Sequence, residues 1–188
     1  MAAKQADVGE REQAARHLRV FQNELVPGLL QTAEYARGVF IMVQEFGAAD
    51  VDAAVAARLA RQQLLYDQTR RFEFLVTEAA LRWRPGTKGM LAAQMRHIAN
   101  VAALPHVDVG VLPLDAQAVT LHHSFDIDNL DDSDLVTVET ASRELHIADP
   151  DEVAFLVRRF ETLWSVALVG EDCAALLDRL RDELLATP

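Results

Sequence analysis

Arg71-Phe72-Glu73-Phe74-Leu75-Val76-Thr77-Glu78 opens the stretch that decides the fold, and Val107-Asp108-Val109-Gly110-Val111-Leu112-Pro113 closes it. In the first segment Phe72, Phe74 and Val76 alternate with Arg71, Glu73 and Leu75, the pattern of a strand ending near Glu78. Pro85-Gly86 turns the chain, and Met90, Leu91, Met95, Ile98, Ala99, Val101 and Ala102 then recur at helical spacing until Pro105 stops the run. Val107, Val109, Val111 and Leu112 form a second, buried strand closed by Pro113. A chain that switches period in this way is neither all-helical nor all-strand.

Toward the N-terminus, residues 1–9 read as a frayed polar tail and Glu10–Arg19, rich in Ala, Gln, Glu and Arg, as helix. Pro27-Gly28 marks a turn, after which Thr32 can cap a helix that carries Ala33, Ala36, Val39, Phe40 and Val43 and stops at Gly47. Asp50 caps another through Val55, Leu59 and Leu65. Toward the C-terminus, Phe125 and Ile127 alternate with Asp126 and Asp128, the aspartates around Asp131–Asp134 turn the chain, and Leu135–Val138 return it. Leu145–Ile147 is a third short strand. Asp149-Pro150 then starts a helix, and Gly170 separates it from a last one, Cys173–Leu185. The expectation is one α+β domain over residues 10–187, helices packed on a small mixed or antiparallel sheet, with a helical C-terminus.

Composition narrows the function classes. The 188 residues are 51% apolar, enough for a substantial core, and no run approaches the ~20 apolar residues of a membrane span. The polar start lacks a secretory signal and a single cysteine, Cys173, permits no internal disulfide, so a cytoplasmic location is expected. The formal net charge of −11 argues against a direct nucleic-acid partner, since duplex affinity comes from neutralising phosphates. Arg70, Arg71, Arg82 and Arg84 are the nearest thing to a basic patch, and read as solvated arginines flanking a strand.

Chemistry-bearing motifs are few. His122-His123 on extended chain point to opposite faces, with no Cys or helical His to complete a zinc set; one of them can serve as a general base or ligand donor. The hairpin aspartates lack the glycine and terminal glutamate of a calcium loop. Ser124 and Ser142 have no nucleophile-elbow setting, and Cys173 has no basic neighbour to activate it. No metal and no cofactor are expected. Glu78 and Glu139 follow apolar strands, where a carboxylate can face a pocket or simply satisfy a backbone donor or Arg82. Trp83 and Trp164 suit either core or a ligand wall.

Pro27-Gly28-Leu29-Leu30-Gln31-Thr32, with Tyr35-Ala36-Arg37 after it, resembles the C-terminal, antitoxin-like domain of actinobacterial Xre-type helix-turn-helix regulators. Glu78-Ala79-Ala80-Leu81, the Met90/Gln94/Met95/Ile98 helix, Val107–Pro113, Ser124-Phe125 and Val138-Glu139-Thr140 follow in the order that family uses. The resemblance implies a small-molecule-sensing or interaction domain. Gln31, Tyr35, Glu78, Arg82, Gln94, Phe125 and Glu139 are then the ligand-binding candidates. The partner would be a homodimeric copy or a separate regulatory protein, met through the amphipathic C-terminal helices. The stretch before Pro27 is too short for a multi-helix reading head, so the domain is expected to act without one. Where the family carries turn glycines, this chain has Gln117 and His122-His123. The alternative is therefore a stand-alone, cofactor-free cyclase or isomerase of specialised metabolism, with His123, His122 and Glu139 as candidate catalytic groups.

Overall fold

The structure, a computed structural model, describes residues 2–43, 50–117, 123–130, 133–140 and 143–186. It is an α+β fold. The helices are α1 (Ala2–Ala14), α2 (Ala33–Val43), α3 (Val51–Arg61), α4 (Glu78–Arg82), α5 (Lys88–Ala102), α6 (Pro150–Trp164) and α7 (Gly170–Ala186). The strands are β1 (His17–Gln22), β2 (Arg71–Thr77), β3 (Val107–Leu112), β4 (Phe125–Asn129), β5 (Asp134–Glu139), β6 (Glu144–Ile147) and β7 (Leu168–Val169).

They form one seven-stranded mixed sheet in the order β6-β5-β4-β1-β2-β3-β7, larger than the small sheet expected. β1, β2 and β3 run parallel, whereas β4, β5, β6 and β7 each pair antiparallel with their neighbours. The β1-to-β2 and β2-to-β3 connections step in the same direction, so crossovers of one hand lay their helices on the same face. That face is the larger core: Leu18, Val20, Phe72, Phe74, Val76, Val107, Val109 and Val111 pack under α5 and α7. The opposite face packs Phe21, Leu75, Phe125, Ile127 and Val136 against Val153, Phe160 and Leu163 of α6.

Three local readings change. Residues 2–9, expected as a frayed tail, belong to α1, whose Glu12 and Arg11 anchor it to α3 and the sheet. Residues 17–19, read as helix, begin β1, which is hydrogen-bonded to a strand on each side; tertiary pairing overrides a helix-tolerant composition there. The expected turn after β2 is preceded by α4, capped by Thr77, whose side chain accepts from the Ala80 amide. The capping roles of Thr32, Asp50 and Asp149 hold, each accepting from a backbone amide in the first turn of its helix. The expected stop at Gly47 lies outside the described residues. The apolar face of α7 is spent inside the molecule, since Cys173, Leu176, Leu177 and Leu180 are buried in the larger core.

Candidate functional site

Two places concentrate functional geometry, one on each side of the sheet. The first is a cleft of about 240 Å³ at the carboxyl ends of the parallel strands. Its floor is polar, formed by Asn23 after β1 and Thr77 at the end of β2. Its walls are apolar, formed by Leu112, Pro113 and Leu114 after β3 and by Leu163 and Val166 at the end of α6. Parallel strands ending side by side leave such a crevice because the chain must depart there to cross over. Thr77 Oγ1 donates to the Asn23 carbonyl at 3.0 Å, and Ser124 Oγ donates to Asn23 Oδ1 at 2.7 Å, so the floor is fixed in place.

Glu78 acts on this cleft as a brace. One carboxylate oxygen accepts the Leu114 amide at 3.1 Å, and the other accepts Arg82 Nε at 2.8 Å. Arg82 continues to Glu183 on α7 at 2.9 Å. Glu78 and Arg82 thus hold the wall segment against α4 and α7. Gln117 lines the mouth with Ala116. His123 is exposed and adjoins Ser124, which is bonded to the cleft floor. His122 lies outside the described residues.

Gln31, Tyr35 and Gln94 meet around the turn at Pro27-Gly28, where their polar atoms serve backbone groups. Gln31 Nε2 donates to the Val26 carbonyl at 2.7 Å, and the Val26 amide donates to Tyr35 Oη at 3.2 Å. Gln94 Nε2 donates to the Leu30 carbonyl at 2.6 Å while its Oε1 accepts the Thr32 amide at 2.8 Å. Burial pushes the Tyr35 phenol up to about 12, the Val26 amide opposing. Phe125 packs against Phe21 in the α6-side core, the rings tilted by 55° with centroids 5.5 Å apart. Trp164 stacks on Phe160 in that same core, and Trp83 packs on the other.

The second place is a polar chamber on the opposite face. There β4 and β5 carry Asp126, Asp128, Thr137 and Glu139 where β1 to β3 carry apolar side chains; α1 reaches them through Arg11, and α3 packs on α1. The register sets Asp126 between Val20 and Thr137. Arg11 bonds Thr137, and approaches Asp128 at 3.8 Å and Glu144 at 3.5 Å. Arg61 of α3 grips Glu12 of α1, its Nε at 2.7 Å. Arg58 donates to Gln31 Oε1 at 2.7 Å and lies over the Phe40 ring, 4.5 Å from its centroid. Burial first, then Arg61, brings its guanidinium down to about 10, with Glu12 and Glu139 opposing.

Asp126 is the unusual group. Burial, then the charges of Asp128 and Glu12, push its carboxyl up to about 8; Arg11 pulls the other way and Glu139 adds to the rise. The residue keeps a partial opening to solvent, but its Oδ1 is enclosed and has no hydrogen-bond partner. Asp128 is raised to about 6 by burial, against the pull of Arg11. The alternation of Phe125 and Ile127 with Asp126 and Asp128 reads as apolar-in, polar-out. In the structure the outward face is roofed by α1, so these aspartates are interior groups and not part of a solvated hairpin turn. A helix covering that face was the missing signal.

Glu139 is exposed at the upper end of this face, across the sheet from the cleft, so the structure does not set it beside Thr77 and Leu112. Arg70 donates to the carbonyls of Glu12, Gln13 and Ala15, and Arg71 pairs with Glu73 and Asp108. The described residues contain no group of three His, Cys, Asp or Glu arranged for a metal, and no helix among them is long and apolar enough to cross a membrane.

A family model described as a domain of unknown function, DUF5753, matches residues 5–179, taking in both the cleft and the chamber. No curated protein matches the chain.

Proposed function

The chain belongs to the DUF5753 family, and from that premise we propose that it is a small-molecule-binding module whose ligand sits in the cleft at the carboxyl ends of β1, β2 and β3. The observation that carries the reading is the cleft itself, with apolar walls from Leu112, Leu163 and Val166, a fixed polar floor, and a dedicated brace in Glu78. Its volume of about 240 Å³ falls below the ~300–1,000 Å³ usual for a drug-sized ligand, so it takes a small compound or one end of a larger one. The motif order from Pro27-Gly28 to Val138-Glu139 favours a sensing or interaction role of the Xre-regulator kind. The surplus of acidic residues argues against this domain gripping DNA directly.

Native mass spectrometry of the chain against a metabolite extract tests this, with Ala116→Trp as the variant that fills the cleft mouth. The expected result is a compound retained by the wild type, released unchanged in mass and chromatographic retention, and lost from Ala116→Trp. Equal retention by Ala116→Trp would place the ligand elsewhere. A released compound that differs from the one bound, in mass or as an isomer of altered chromatographic retention, would make the chain an enzyme, with His123 the first group to replace.

A further inference from the structure

Asp126 Oδ1 is sealed from water within the chamber, and no described residue donates to it. An enclosed polar atom without a partner costs on the order of 1–3 kcal/mol, which makes it a marker for a group the protein does not itself supply. Of the described cations nearby, Arg61 is engaged with Glu12, Arg11 with Thr137, Asp128 and Glu144, and Arg58 with Gln31 and Phe40. Against these stand the carboxyls of Glu12, Asp126, Asp128, Glu139 and Glu144, which outnumber the guanidiniums. His146, on β6, adjoins Thr137 at 3.3 Å. Among the described residues, Asp126 Oδ1 is the enclosed carboxylate oxygen left without a donor, and a cationic donor belongs beside it.

The acceptors are spread over α1, β4 and β5, without the convergence a metal ion demands. An ammonium group presents three diverging N–H donors and tolerates that spread. We propose that the chamber binds a protonated primary amine, its ammonium seated on Asp126 Oδ1. This site lies on the sheet face opposite the cleft and stands or falls independently of it. The raised Asp126 carboxyl is mostly neutral at pH 7. As the ammonium seats, Asp126 releases its proton to solvent, one proton out for one cation in.

Calorimetric titration of the full chain with butylamine, and with butanol as the neutral isostere, tests the proposal between about pH 6 and pH 9. Expected are binding of butylamine alone, an affinity rising about tenfold per pH unit below pH 8 and levelling above it, and heats that vary with the buffer that takes up the proton. Asp126→Asn should weaken butylamine at least tenfold at pH 8. That substitution hardly alters the charge of the chain at pH 7, so undiminished binding to Asp126→Asn would mean adventitious attraction to an acidic surface and overturn the proposal. Equal binding of butanol, or a wild-type affinity independent of pH, would do the same. Ala116→Trp should bind butylamine as the wild type does, and loss there would deny that the two sites are separate.

Discussion

Gln94 shows how a single side chain misleads and then explains. A fully buried glutamine beside a glycine turn suits a ligand pocket as well as it suits a backbone staple, because both uses need one donor and one acceptor. The structure spends both on Leu30 and Thr32, and uses Gln31 and Tyr35 in the same way on Val26. The resemblance motif is therefore mostly architecture: it shapes the turn from which α2 starts. Gln94→Leu fills the space but leaves the Leu30 carbonyl and the Thr32 amide unpaired, at about 1–3 kcal/mol each. The expected outcome is a loss of about 2–5 kcal/mol in urea unfolding, and Gln94→Glu should lose stability too, because its carboxylate cannot donate to the Leu30 carbonyl. An unchanged midpoint for Gln94→Leu would remove the staple from the account. Asp126 misled the opposite way, its alternation with Ile127 pointing to solvent when α1 lay over that face.

At the scale of the element, long periodic runs were legible, and so were the short strands β4, β5 and β6 set off by turn residues, whereas β1 and β7 were not. α5, α6 and α7 follow from apolar spacing, and β2 and β3 from alternation, because each carries its own signal. β1 has six residues, HLRVFQ, entered from a helix-tolerant run; its identity comes from β2 and β4 on either side. β7 has two residues and exists only by pairing with Gly110 and Val111. Gly38 of α2 illustrates packing dictating sequence: a Cβ there would lie 2.5 Å from the Pro85 carbonyl oxygen. In an open helix Gly→Ala gains roughly 0.5–1 kcal/mol. Here Gly38→Ala must push α2 off the Pro85 turn, so a net loss of about 1–3 kcal/mol is expected from chemical denaturation. A stabilised Gly38→Ala would show that this contact yields freely.

Across the whole molecule, one face of one sheet changes character from strand to strand. It is apolar on β1, β2 and β3, where α5 and α7 bury it, and polar on β4 and β5, where α1, backed by α3, lies against it. The α+β class could be read from the order of periods. The cleft could not, because Asn23, Thr77, Leu112 and Leu163 meet only once the parallel strands end side by side. Glu78 was legible as a strand-end carboxylate, though its work is to hold Leu114 in the cleft wall. A second concavity of about 250 Å³ runs between α5 and α7, lined by Arg96, His97 and Leu185, and it is the natural rival location for a ligand. The central claim is that the cleft is where a small molecule binds. Methyl-detected NMR of the full chain, titrated with a library of small apolar fragments, tests it most directly. Shifts confined to the methyls of Leu112, Leu163 and Val166 are the result expected; shifts centred on Leu185 in the α5–α7 groove, or none at the cleft, would contradict the account.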